Sequence, residues 1–251
     1  MSATIEFYLV AVPAVIVLGL SKGGFTGLSL LAMPMLTLVI SPLRAAAILL
    51  PILVVQDWVS VWAFRRDFSP RNLVILIPSS MIGVALGWVL AARVNEDAVR
   101  LAVGLISIAF VVYMLIRDRR GRPSVEKPGV PGGVLWGSLA GFTSFISHSG
   151  SPPFQVYVMP QHLKPRVFAG TATMFFAAVN LIKLPPYFLL GQFSRENLTV
   201  SAGLVPVAVL STFGGVWLVR RVSAGRFYAV ILALTFVIGV KLTYDAVQGL
   251  V

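Results

Sequence analysis

Apolar runs of about 17 to 25 residues, bounded by charges, glycine and proline, recur along this chain. That is the length needed to span a hydrocarbon core as helix. The pattern predicts helical segments near 4–21, 27–40, 44–64, 73–91, 98–116, 132–147, 152–160, 167–190, 197–219 and 227–248. Two of these, 27–40 and 152–160, are short. At a 1.5 Å rise, the latter covers only about 14 Å, under half of a ~30 Å core. Each short segment follows a polar break, "GLSKGGFT" at 19–26 and "SHSGS" at 147–151. The predicted class is an all-α polytopic membrane protein. Composition agrees: 57% of residues are hydrophobic and 12% charged, against about 25% charged in soluble domains. Mean hydropathy is +0.90. With no cysteine, disulfides and thiolate metal sites are excluded. The opening "MSATIEFYLVAVPAVIVLGL" lacks the basic region of a cleaved signal, so a retained first span is expected.

The net charge of +11 matters through its placement. If both breaks are hairpins, ten segments alternate in direction. Loops on one side then hold Arg65, Arg66, Arg71, Arg117, Arg119, Arg120, Arg122, Lys127, Lys164, Arg166, Arg220, Arg221 and Arg226; the other side holds Arg44, Arg93, Arg100 and Arg195. If each short piece merely continues its predecessor, the split becomes nearly even. Cytoplasmic loops carry the Lys/Arg excess, which selects ten segments with both termini extracytoplasmic, in a cell inner membrane. The basic stretch 117–131 is then a cytoplasmic linker between a first transmembrane repeat, 1–116, and a second, 132–251. A nucleic-acid role for it is not expected. The halves share features in order: Gly24 and Met33-Pro34 with Gly150 and Met159-Pro160, Pro42 with Pro165, and Gly87 and Arg93-Val94 with Gly215 and Arg221-Val222. Five segments per half make these inverted repeats, with the broken short helices meeting near the midplane, as in transporters.

Irregular backbone at membrane depth survives only when buried in protein or lining a cavity. Thr26 is expected to cap the helix starting near Gly27, and Ser151 the helix opened by Pro152. Helix amino ends favour anions, and Lys22 and His148 stand two residues before Gly24 and Gly150. A mid-bilayer charge costs about 2.5–3.5 kcal/mol on insertion scales, so Lys22 needs a partner or a function. The residues therefore point to an anion site at Lys22, Gly23, Gly24, Thr26, Ser147, His148, Ser149, Gly150 and Ser151.

The glycine-rich break followed by "LLAMPML", the "SPLRAAA" opening of the next helix, the repetition of both features and the basic central linker resemble the TauE/SafE family of sulfite exporters. The resemblance spans essentially the whole chain. It implies transport of sulfur-containing anions such as sulfite or organosulfonates, including sulfoacetate. The family's glycine-rich first stretch is carried by Gly23, Gly24 and Gly27, whereas Ser147, His148, Ser149 and Pro152-Pro153 stand where the second half would hold more glycine.

Asp57 is the one acid deep in a long segment, with Gln56 beside it. It is expected either to pair with a buried lysine, Lys22 or Lys183, or to carry a coupling proton. Asn180 is its equivalent at the Pro42/Pro165 spacing, and Thr171 opens the same helix. Gly83/Gly87 and Gly137/Gly141 are expected to serve close helix packing. The expected partners are a small anion, the lipid bilayer and protons; a homo-oligomer is left open. No catalytic set, metal site or cofactor is expected, so the chain reads as a transporter rather than an enzyme. A passive anion channel is the alternative, and an intramembrane enzyme an outside one.

Overall fold

The computed structural model describes residues 5–91, 93–119, 129–189, 191 and 193–250. Most of the basic linker, 117–131, lies outside them. All regular structure among the described residues is helical: α1 (Ile5–Ser21), α2 (Ser29–Thr37), α3 (Pro42–Phe64), α4 (Pro70–Leu90), α5 (Glu96–Arg119), α6 (Val130–Ser147), α7 (Ser151–Val158), α8 (Pro165–Leu189), α9 (Arg195–Val219) and α10 (Ala224–Leu250). Short 3₁₀ turns precede α2 (Thr26–Leu28) and follow α7 (Met159–Gln161). Every segment expected from hydropathy has its helix. Six of them, within α3, α4, α5, α8, α9 and α10, are long and apolar enough to cross a membrane. Ile5, Leu9, Val74, Val89, Leu210 and Val237 are all exposed, an outward apolar surface that suits lipid rather than water. This is a multi-pass membrane protein.

The chain forms two compact units. One comprises residues 1–68 and 165–223, the other 69–164 and 224–251. In the first, α3 and α9 run parallel: Arg44 donates to Glu196 at 2.7 Å, and the Ser201 hydroxyl to the Ile48 carbonyl at 2.8 Å. The α1 helix also runs parallel to α9, because Gly19 faces Ser211 and Gly23 faces Gly215. Two helices parallel to the same neighbour are themselves parallel. The α2 helix, which packs on both α1 and α3, therefore carries the chain back between them. The first break is a hairpin.

The second break resolves in the same way inside the second unit. Tyr157, near the end of α7, donates from its hydroxyl to the Gly129 carbonyl at 3.4 Å, just before α6 begins. So α7 folds back along α6. Around it, α4 and α6 lie parallel in a small-residue crossing, with Gly83 against Ser138, Gly87 against Phe145, and Gly141 against Ser80. These glycines do the packing work expected of them, letting backbones approach where a side chain would intervene. The α5 and α10 helices run antiparallel, Gly104 meeting Gly239 and Thr243 while Asp97 meets Gly249.

Two local expectations fail. Thr26 does not cap an α-helix at Gly27: residues 26–28 wind as a 3₁₀ turn, and α2 starts at Ser29, whose hydroxyl donates to the Thr26 carbonyl at 2.7 Å. Glycine is a weak helix former, and the tighter turn leads directly into the helix. Nor is Ser151 the residue before α7. Gly150 takes that place and Ser151 lies in the first turn, which the stiff Pro152-Pro153 pair then continues with its φ already helical.

A buried lysine–aspartate–asparagine cluster as candidate functional site

Of the residues singled out in sequence, Lys22, Gly23, Gly24, Thr26, Gln56, Asp57, Thr171, Asn180 and Lys183 belong to the first unit, and Ser147 through Ser151 to the second. In the first unit, four converge. Lys22, directly after α1, donates its ammonium to Asp57 Oδ1 on α3, forming an ion pair. Asn180 on α8 donates its amide nitrogen to Asp57 Oδ2 at 2.7 Å. Lys183, one turn along α8, lies within electrostatic range of both Asp57 and Lys22. Exposure is 8% for Lys22, 3% for Asp57, 4% for Asn180 and 1% for Lys183. No other charged residue is buried among the described residues. Two lysines and one carboxylate are thus buried within electrostatic range of one another.

Local structure explains the placement. The amides of Lys22, Gly23 and Gly24 each bond to a carbonyl three residues back, at 3.0–3.1 Å. The last turn of α1 tightens, and Gly24 then reverses the chain at φ 92°, a conformation glycine adopts at little cost. Lys22 is left on the inner side of this reversal. These amides are therefore committed within the turn, and the lysine side chains are what the break offers an anion. Gly23 serves the α1–α9 crossing. Asp57 stands about 22 Å from the start of α3 and about 10 Å from its end at the standard rise, so the cluster lies past the middle of α3, toward its carboxyl end.

That end is basic. Arg65 and Arg66 follow α3, Arg220 and Arg221 follow the parallel α9. The α8 helix, antiparallel to α3 with Gly170 against the Asp67 carbonyl, brings Arg166 there too. Trp62 and Trp217 stack under Arg65 and Arg221 at 5.0 and 4.4 Å, as amphipathic rings do at a membrane interface. The opposite end holds Arg44 and Arg195 with Glu196.

The remaining candidates fall elsewhere. Gln56 turns away from Asp57: its amide nitrogen reaches the Val15 and Ala208 carbonyls at 3.4 and 3.5 Å, and its buried oxygen has no hydrogen-bond partner. Thr171 donates to the Val167 carbonyl of its own helix at 2.6 Å. In the second unit, Ser147 and Ser149 donate to the Thr143 and Ser147 carbonyls. His148 ends α6 in the left-handed region at φ 53°, which costs an ordinary L-residue about 1–2 kcal/mol. Sequence reasoning missed a cavity of about 100 Å³ beside Asp57, lined by Val54, Trp58, Val61, Ala177 and Leu181. Its signal was present as the one-turn spacing of 54, 57/58 and 61 on α3 and of 177 and 181 on α8.

The family model for the sulfite exporter TauE/SafE matches residues 11–242. The chain belongs to the TauE/SafE family. No curated protein and no solved structure matches it. As a TauE/SafE protein it is a membrane transporter of the sulfite exporter type, and its buried lysine cluster lies within the matched region. Members of this family are transporters, not enzymes.

Proposed function

We propose that this TauE/SafE protein exports a small sulfur-containing anion, sulfite or an organosulfonate such as sulfoacetate, by alternating access across a cell inner membrane. Lys22 and Lys183 are the anion's counter-charges. The observation that carries this reading is the make-up of the buried cluster, two lysines to one carboxylate. Such a site is poised for an anion and hostile to a cation. The basic end of the unit, about 10 Å from Asp57, would raise the local anion concentration at the entrance. The second break, with His148 between Ser147, Ser149, Gly150 and Ser151, is proposed as a further polar station. A histidine in a left-handed position that glycine fills more easily favours a role for its ring. Flux of sulfite, sulfoacetate and chloride into proteoliposomes tests the proposal. Saturable, sulfur-anion-selective uptake is expected. Current that grows without saturation would replace the carrier with a channel, and flux of none of these anions would end the reading.

Inverted repeats are part of the same proposal. Asp57 and Asn180, equivalent at the Pro42/Pro165 spacing, touch directly, as repeat mates do beside a pseudo-twofold axis. The α5–α10 contact pairs equivalent helices in the same way, and the parallel α1–α9 and α4–α6 pairs are one contact seen twice. The basic end faces the cytoplasm in this reading, with both termini outside. Cysteine is absent from the chain, so single cysteines placed at 66, 122 and 223 report cleanly. All three are expected to react with an impermeant maleimide only from the cytoplasmic side. Labelling of 66 and 122 from opposite sides would overturn the ten-segment orientation.

A further inference from the structure

Asp57 and an incoming anion want the same partner. The Lys22 ammonium is held by Asp57 Oδ1, so in the resting cluster the carboxylate occupies the place of the anion. A second negative charge entering beside it would meet a buried like charge with little water to screen it. From every helix packed against α3 the charges can be named. The α1 end supplies Lys22 and its start Glu6, α2 carries no titratable residue, α8 supplies Arg166 at its start and Lys183, and α9 carries Arg195 and Glu196 at its start, the latter paired with Arg44. Of these, Lys22 pairs with Asp57 and Lys183 lies within electrostatic range of it, while Glu6 and Glu196 stand at the starts of their helices.

We infer that Asp57 is an intramolecular competitor for Lys22, and that substrate binding requires its protonation, so that about one proton is taken up with each monovalent anion. This deepens the proposed function and rests on it. The step balances: the Asp57 carboxylate gains a proton and becomes neutral, Lys22 passes from Asp57 to the anion, and the cluster's charge plus that of the ligand changes by zero. Asn180 decides which oxygen is protonated. Its amide nitrogen donates to Oδ2, so Oδ2 stays the acceptor and the proton goes to Oδ1, the oxygen Lys22 releases. Asn180 is thus a positioning residue, and anion and proton travel together.

The sign is opposite to that of a residue that simply helps bind the anion. Calorimetric titration of the purified protein with methanesulfonate, which stays a monoanion over the range used, reads it in buffers of different ionisation enthalpy. Wild type is expected to take up about one proton per anion, and its affinity to fall as pH rises. Asp57→Asn is expected to take up none, to show affinity flat with pH, and to bind at least tenfold more tightly than wild type at the alkaline end. Wild-type binding without proton uptake overturns the inference and needs no variant to fold. So does uptake that survives Asp57→Asn. Absence of binding for both methanesulfonate and sulfite in wild type strikes instead at the proposed substrate class, and the inference falls with it.

Discussion

Lys22→Ala is expected to abolish sulfite binding and to destabilise the protein by about 3–5 kcal/mol, the range for removing one partner of a buried ion pair. The carboxylate of Asp57, 3% exposed, would lose its direct cation, and Asn180 alone cannot neutralise it. Lys183 remains within electrostatic range, which places the expected cost at the lower end. The double variant Lys22→Ala/Asp57→Ala is expected to recover only part of the stability, since the carboxylate is no longer stranded but Lys183 stays buried without it, while sulfite binding stays lost. Thermal unfolding in detergent reads the first effect and calorimetric titration the second. A folded Lys22→Ala protein with wild-type affinity would remove Lys22 from the site.

The second large effect is expected at Gly23, for a reason that has nothing to do with charge. A Cβ there would lie 2.2 Å from the Gly215 carbonyl oxygen, a backbone atom that cannot swing aside. Gly23→Ala must therefore push α1 away from α9. Overpacking costs of 1–3 kcal/mol are usual, and a backbone clash this close is expected to reach about 3 kcal/mol or more. Gly214 is the internal control: a Cβ there meets only Leu20 Cδ2 at 3.7 Å, ordinary contact, so Gly214→Ala should unfold like wild type. Yield of monodisperse protein and melting temperature check both. A normally folded Gly23→Ala variant would mean that the α1–α9 crossing is looser than the geometry states.

Gly23 and Gly24 also illustrate how a motif can be legible while its parts are not. From the sequence, both are glycines of one break beside a lysine. In the structure, Gly23 lets two helices touch, whereas Gly24 reverses the chain with φ at 92°. Sequence proximity carries no information on which side of the backbone a neighbour lies, and the difference between the two roles is only that. The caps expected at Thr26 and Ser151 failed for a related reason. A hydroxyl or a proline signals that a helix starts nearby, but the boundary shifts by a residue or two with the tightness of the turn.

The apolar runs alone determined ten helical segments and membrane residence, because a hydrocarbon solvent imposes length and polarity on each span independently of the others. They also determined that residues 19–26 and 147–151 are exceptional, since polar groups there violate a rule every other run obeys. The placement of Lys and Arg favoured a chain that turns back at those breaks, and packing shows that it does: Gly19 and Gly23 against Ser211 and Gly215, and Tyr157 against Gly129. The pairing of Asp57 was legible as an alternative between Lys22 and Lys183. Side-chain reach across 35 residues of chain settled it on Lys22, and added Asn180, a contact between distant segments that no local pattern encodes. A charge buried in lipid must find a partner, so the sequence foretells that a partnership exists. Which partner it is follows from where helices cross, and that is a property of the whole fold.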